Sequence, residues 1–98
     1  MALAVTDNRA RSRYELHDGD QLLGFTEYHE RADGALVFPH TVITVPKRGA
    51  GYGSMLVQGA LDDVRARGRR IVAQCPFVQR YVGEHPELAD LLAEDLTA

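Results

Sequence analysis

Three glycines alternate with other residues in KRGAGYGS, the stretch that covers residues 47–54. Gly49, Gly51 and Gly53 come just before an amphipathic run, where a helix is expected to begin, although glycine is a poor helix former. The first amides of a helix lack partners within it, and the helix dipole adds positive potential, so a phosphate group can bind there. Glycine removes the Cβ atoms that would keep a phosphate away, and Arg48 adds charge. This stretch therefore predicts an anion site; an ordinary tight turn is the alternative.

A second candidate for chemistry is Cys75, the single cysteine of the chain. Pro76 suits the first position of a helix, which makes Cys75 the predicted residue at its N-cap. The positive end of the helix dipole lowers the pKa of a thiol at that position and raises its thiolate fraction. The alternative is a small buried hydrophobe, the commonest fate of a free cysteine.

The elements before the glycines are predicted to be three strands. Asp18-Gly19-Asp20 and Asp33-Gly34 are turn signals that separate them. The third strand is expected from about Ala35 to Val45. Pro39 lies within it and cannot donate to a sheet ladder, so it indicates an edge position or a bulge.

The second half of the chain is predicted to be mostly helical. A helix from about Tyr52 to Arg67 follows from apolar residues at helical spacing, namely Leu56, Val57, Ala60, Leu61 and Val64. A short strand, Ile71 to Ala73, precedes the helix that starts at Pro76, and a terminal helix is expected from Glu87 to Leu96. The order βββ-α-β-α-α predicts an α/β protein of the α+β type, in which an antiparallel meander is continued by one parallel βαβ unit.

Length and composition indicate one domain, expected over residues 13–98, behind a flexible polar tail at residues 1–12. The net charge of −3 argues against nucleic acid as the main partner. A single cysteine excludes an internal disulfide and a zinc site built from several cysteines, and we expect no metal. No apolar run is long enough for a membrane helix, and no signal peptide is recognisable. A cytoplasmic protein is the resulting expectation.

The pattern Arg48-x-x-Gly51-x-Gly53, between an apolar strand and an amphipathic helix, resembles the pyrophosphate loop of the GNAT superfamily of acetyl-CoA-dependent N-acetyltransferases. The succession of further segments resembles the small single-domain members of that superfamily: His40-Thr41, Cys75-Pro76-Phe77-Val78, Tyr81 and His85-Pro86-Glu87. The resemblance covers about Arg13 to Leu92 and implies a truncated GNAT-like fold.

This resemblance implies that the chain binds acetyl-CoA. The coenzyme A pyrophosphate would lie on the loop that comprises Arg48, Gly49, Ala50, Gly51, Tyr52, Gly53 and Ser54. The pantetheine arm would run beside the end of the preceding strand, at Ile43, Thr44 and Val45. The thioester would then lie where the strands before and after the first helix separate, close to Cys75.

The resemblance also implies candidate catalytic residues. Cys75 could take the acetyl group and pass it to an amine, or lie beside a direct transfer as a polar neighbour. His40 is on the strand that carries the base in other members, about five residues before its end; anchoring a bulge beside Pro39 is the alternative. Tyr81 is on the helix whose tyrosine protonates the coenzyme A thiolate in many members, but it falls earlier than usual, so a core role is the alternative.

Two functions follow as hypotheses. The first is acetyl-CoA-dependent N-acetylation of an exposed amine on a protein, a peptide or a polyamine. Larger members carry two helices between their first two strands that wall the substrate site, whereas this chain is expected to have only Asp18-Gly19-Asp20 there, which predicts an open acceptor side. The second is a coenzyme A-binding or protein-interaction module with little turnover. We expect neither nucleic acid nor a membrane as partner.

Overall fold

The computed structural model describes residues 2–44 and 51–93. Within these residues five strands form one sheet, in the order in which they occur along the chain. The strands are β1 (Leu3–Asn8), β2 (Arg13–Asp18), β3 (Gln21–Glu30), β4 (Leu36–Ile43) and β5 (Ile71–Ala73). The helices are α1 (Tyr52–Ala66) and α2 (Pro76–Glu84), with short 3₁₀-helices at Arg9–Arg11 and Pro86–Leu91.

The strands β1 to β4 are antiparallel to their neighbours, whereas β5 pairs in parallel with β4 after the crossover through α1. This is the predicted meander followed by a βαβ unit, so the predicted fold class is confirmed. The turns at Gly19 and Gly34 both have positive φ angles, 57° and 91°, which glycine adopts without strain. Gly68, just after α1, has φ 68° and ends that helix in the left-handed conformation.

The predicted flexible tail at residues 1–12 is wrong, because Leu3–Asn8 forms strand β1 at the edge of the sheet. It pairs with β2 along its whole length. Leu3 and Val5 pack against the core, and the strand approaches α1 so closely that a Cβ atom at Gly59 would lie 2.6 Å from Val5 Cγ2. Six residues in which apolar and polar side chains alternate do not predict a strand by themselves, because the pairing with β2 stabilises it.

Two further expectations need correction. The first two strands are joined through the 3₁₀-helix Arg9–Arg11, whereas Asp18-Gly19-Asp20 joins β2 to β3. The predicted terminal α-helix is a shorter 3₁₀-helix, Pro86–Leu91, after which Leu92 bridges to Ile71 of β5. The return of the chain to β5 depends on a contact between residues that are distant in the sequence.

One buried cluster joins the sheet to both α-helices. It includes Tyr14, Phe38 and Ile71 from the strands. The faces of α1 and α2 that enter it carry Leu56, Val57, Ala60, Leu61, Val64, Val78, Tyr81 and Val82. Among the described residues, no helix is long and apolar enough to cross a membrane.

A bulge in β4 determines what lies near the start of α2. Glu27 pairs with His40 and His29 with Val37, so three steps along β4 match two along β3. The extra residue falls at Phe38–Pro39, which agrees with the bulge predicted at Pro39. Pairing between β4 and β5 ends at Phe38 and Ala73, so β4 continues to Ile43 beyond the last paired residue of β5.

Candidate functional site

The candidate site is the opening where β4 and β5 separate. The carbonyl oxygen of Phe38 accepts hydrogen bonds from the amides of both Gln74 and Cys75, at 3.2 and 2.8 Å. This pair of bonds turns the chain from β5 into α2, while β4 runs on. The arrangement places the N-terminus of α2 beside the second half of β4.

Cys75 lies at this opening, and its position at the start of α2 agrees with the sequence prediction. It is the N-cap residue of α2, with an extended backbone at φ −69° and ψ 128°. Its side chain is buried, with 5% of the residue exposed, and its Sγ donates a hydrogen bond to Thr41 Oγ1 at 3.5 Å. The sulfur is therefore polar in its contacts although it belongs to the buried cluster.

Sequence reasoning did not assign a role to Thr41 or to Thr26. These two residues are paired across β3 and β4, and their hydroxyl oxygens lie 3.0 Å apart. Thr26 is completely buried. The bonded groups are 15 and 34 positions apart along the chain. Only the strand register and the bulge bring them together, so no local pattern could identify them.

Helix α1 begins at Tyr52, where the sequence predicted a helix to start. Gly51 is the N-cap residue, with φ 79° and ψ 14°, and no side chain caps this end of the helix. The amides of Tyr52, Gly53 and Ser54 in the first turn have no partner within the helix. These donors can hold an anion because no side chain of the described residues occupies the cap position.

Gly53 also allows close contact between the two helices. A Cβ atom at this position would lie 2.7 Å from Phe77 Cζ, so only glycine leaves room for the ring as placed. Phe77 is a large apolar residue, but 41% of it is exposed. The ring lies over the first turn of α1, which explains both observations.

The remaining residues of the predicted coenzyme A site divide into two groups. Ile43 ends β4. The amide of Thr44 donates a hydrogen bond to the carbonyl oxygen of Leu23, and its hydroxyl donates one to the carbonyl oxygen of Leu22. The others lie outside the described residues, and their roles stay predictions: Val45, Arg48, Gly49 and Ala50.

His40 does not share the buried environment of Cys75. Its side chain is 55% exposed, and its Nε2 lies 3.4 Å from Glu27 Oε1. Because it is next to Thr41 on a strand, it points to the opposite face of the sheet. The structure thus places the candidate base beside a carboxylate and on the face away from the thiol. Its role as a base stays a prediction.

Tyr81 packs between the helices. Its hydroxyl donates to Gln58 Oε1 at 2.5 Å, and its ring stacks on His85 with centroids 3.9 Å apart. Burial, together with the negative charges of Asp62 and Glu87, raises the pKa of Tyr81, so the group stays protonated. These contacts fit the core role that the sequence left open, and a role as general acid stays a prediction.

Comparisons with known proteins agree with this architecture. Residues 13–91 match the family model described as GCN5-related N-acetyl-transferase. The fold is similar to the NMR solution structure of a GCN5-like protein from Staphylococcus aureus, with a TM-score of 0.69 and 17% sequence identity. That match covers 98% of this chain and 93% of the other. No curated protein is significantly similar to the chain.

Proposed function

Because the chain belongs to the GCN5-related N-acetyltransferase family, we propose that it transfers an acetyl group from acetyl-CoA to an exposed amine, through an acetyl-cysteine at Cys75. The observation that carries this proposal is the position of Cys75 at the point where β4 and β5 separate. The acceptor amine would belong to a protein, a peptide or a polyamine.

The residues at the start of α1 fit the diphosphate of coenzyme A. The first-turn amides have no intrahelical partners, and Gly51 presents no Cβ atom at the N-cap. Among residues 2–44 and 51–93, nothing lies within 4 Å of a Cβ atom added at Gly51, whose φ is 79°. In this proposal, Arg48 adds a positive charge, and Ile43 and Thr44 lie beside the pantetheine arm.

The role of the chain in the first step is nucleophilic. The sulfur of Cys75 bonds to the thioester carbonyl carbon, the bond from that carbon to the coenzyme sulfur breaks, and the proton of Cys75 passes to the coenzyme sulfur. In the second step the acceptor nitrogen bonds to the same carbon. The bond to Cys75 then breaks, and a proton from the amine returns to the Cys75 sulfur. Atoms and charge balance without another reactant.

An exposed acceptor fits the short connection between the first two strands. Only the 3₁₀-helix Arg9–Arg11 and its flanking residues join β1 to β2. Larger members of the resembled superfamily carry two helices there that wall the substrate site. A shallow acceptor side suits an amine on a larger molecule better than a small substrate that needs enclosure.

Intact-mass spectrometry after incubation with acetyl-CoA tests the covalent route. We expect a mass increase of one acetyl group in the wild-type protein and none in Cys75→Ala, which should still bind coenzyme A. Cys75→Ser keeps the size and polarity of the side chain and serves as the matched control; it should also lack the rapid modification. Transfer to an amine by Cys75→Ala at the wild-type rate would refute the covalent route.

Thermal stabilisation by coenzyme A, compared with ADP, tests the proposed cofactor site, since a ligand that binds only the folded state raises the melting temperature. Gly51→Ala strains a positive φ angle at the N-terminus of α1, whereas Gly68→Ala does so just after its C-terminus. Each should cost about 1 kcal/mol of stability. Only Gly51→Ala should reduce the stabilisation by coenzyme A. An equal reduction in both variants would contradict the assigned site.

A coenzyme A-binding module with little turnover is the second candidate. The observation that favours it is the burial of Cys75, of which 5% is exposed. Under this hypothesis the melting temperature still rises with coenzyme A, but no acetyl-cysteine forms and no amine is modified. The same two measurements therefore separate the module from the enzyme.

A further inference from the structure

Three polar groups form a hydrogen-bonded chain that begins at the Cys75 sulfur and ends at the hydroxyl of Thr26. Sγ donates to Thr41 Oγ1 at 3.5 Å, and Thr41 Oγ1 lies 3.0 Å from Thr26 Oγ1. The Thr26 hydroxyl donates in turn to the carbonyl oxygen of His40 at 3.5 Å. Thr26 has no exposed surface, and Cys75 is 5% exposed. Thr41, which links these two residues, is partly exposed.

The direction of every hydrogen in this chain follows from its last member. A carbonyl oxygen can only accept, so Thr26 donates to His40 and accepts from Thr41. Thr41 has one hydroxyl hydrogen, which it gives to Thr26, so it accepts from the thiol of Cys75. In the resting state all hydrogens point away from the sulfur.

This direction must reverse when the sulfur loses its hydrogen. A thiolate can only accept, and a buried negative charge without donors is costly. If Thr41 turns its hydroxyl hydrogen toward the sulfur, Thr26 can turn its own toward Thr41, and every oxygen of the pair keeps a partner. Hydrogen bonds to a charged acceptor are stronger than neutral ones.

We propose that Thr41 is a positioning residue whose hydroxyl reverses its hydrogen bond to hold the Cys75 sulfur as that sulfur gives up its proton and reacts, with Thr26 as the donor behind it. The inference rests on the function proposed above, because that function makes the Cys75 sulfur a nucleophile. Packing alone does not account for the pair, since valine has nearly the same shape as threonine and carries no hydroxyl to satisfy. The bulge at Phe38–Pro39 and the pairing of the two threonines keep the three groups in line.

The single cysteine makes a direct test possible, because alkylation by iodoacetamide reports on Cys75 alone. The reaction is measured without acetyl-CoA, on folded protein, for Thr41→Val and Thr41→Ser. We expect Thr41→Val to react about tenfold more slowly than the wild type, as one hydrogen bond to a charged group is lost. Thr41→Ser keeps the hydroxyl and should react within about threefold of the wild type.

If Thr41 only fills space, the alkylation rates of Thr41→Val and Thr41→Ser should deviate from the wild type in the opposite order. Serine leaves a cavity where valine does not, so a packing role would make Thr41→Ser the more disturbed variant. Equal rates for Thr41→Val and the wild type, or a slower rate for Thr41→Ser than for Thr41→Val, would overturn the proposal. If Thr41→Val does not fold, the pair Thr26→Val and Thr26→Ser is measured instead, with the same expected order and a smaller effect, about threefold.

Mass spectrometry with acetyl-CoA separates this inference from the proposed function. If the wild type forms no acetyl-cysteine while the alkylation rates keep the expected order, the covalent route fails and the role of Thr41 stands. If acetyl-cysteine forms and Thr41→Val is alkylated as fast as the wild type, the role of Thr41 fails and the covalent route stands.

Discussion

The packing of β1 against α1 can be tested with one methyl group placed at two positions of the same helix. Gly59→Ala would put a Cβ atom 2.6 Å from Val5 Cγ2 and 2.7 Å from Val5 Cβ, so the strand itself would have to move. Gly53→Ala would put its Cβ atom 2.7 Å from Phe77 Cζ. That ring is 41% exposed and can rotate away.

The expected magnitudes follow from this difference. Replacing glycine with alanine inside a helix stabilises it by up to about 1 kcal/mol. Overpacking against a rigid neighbour costs about 1–3 kcal/mol. We therefore expect Gly53→Ala to be neutral or mildly stabilising, and Gly59→Ala to be less stable than Gly53→Ala by about 1–3 kcal/mol. For a domain of this size, each kcal/mol corresponds to about 4–8 °C in melting temperature.

Urea denaturation followed by circular dichroism, together with thermal melts, measures the difference. As a control, Val5→Ala removes two of the crowding carbons but leaves Cβ, so in a double-mutant cycle it should cost less in the Gly59→Ala background than in the wild type. If Gly59→Ala and Gly53→Ala agree within about 0.5 kcal/mol, β1 does not pack against α1 as described. A flexible tail at residues 1–12 would give that result.

Three further predictions concern charge and hydrogen bonding. Burial and the hydrogen bond to Asp7 raise the pKa of Tyr28 to about 12 from 10.0. The contribution of Tyr28 to the stability of the fold is therefore complete below pH 10 and is lost as the pH rises to 12. In Tyr28→Phe, the free energy of unfolding should depend less on pH over that window. Burial alone would raise the pKa of Glu15, but hydrogen bonds, with that from Arg13 the largest, bring the pKa below 4.5. The contribution of Glu15 to the stability of the fold is therefore present above pH 4.5 and is lost below it. In equilibrium unfolding, Glu15→Gln should be less sensitive to acid than the wild type. Arg13→Lys removes the planar group that lies 4.1 Å from the ring centroid of Phe25, and we expect it to lower the melting temperature, whereas an unchanged value would mean that this contact adds nothing.

Much of the candidate site could be predicted because its signals are local. Glycine at a helix entrance, proline after Cys75 and apolar residues at helical spacing each act within a few residues. The structure accordingly has α1 beginning at Tyr52, after Gly51 as its N-cap, and α2 beginning at Pro76, after Cys75. The fold class followed from the order of these elements.

The features that sequence reasoning missed all depend on contacts between distant residues. β1 is stabilised by pairing with β2 and by the gap that Gly59 leaves in α1, neither of which a six-residue alternation reveals. Phe77 is apolar like a core residue, yet it is partly exposed because its ring lies over the first turn of α1.

The sequence by itself determined the local conformations at the site: where α1 and α2 begin, and that Cys75 is the N-cap residue of α2. Only the tertiary structure decided the environment of the Cys75 sulfur. Thr41 reaches Cys75 because a bulge shifts the register of β4, and Thr26 joins them because β3 pairs with that strand. Local propensities act over a few bonds, whereas hydrogen bonds between strands select partners that are far apart in the chain.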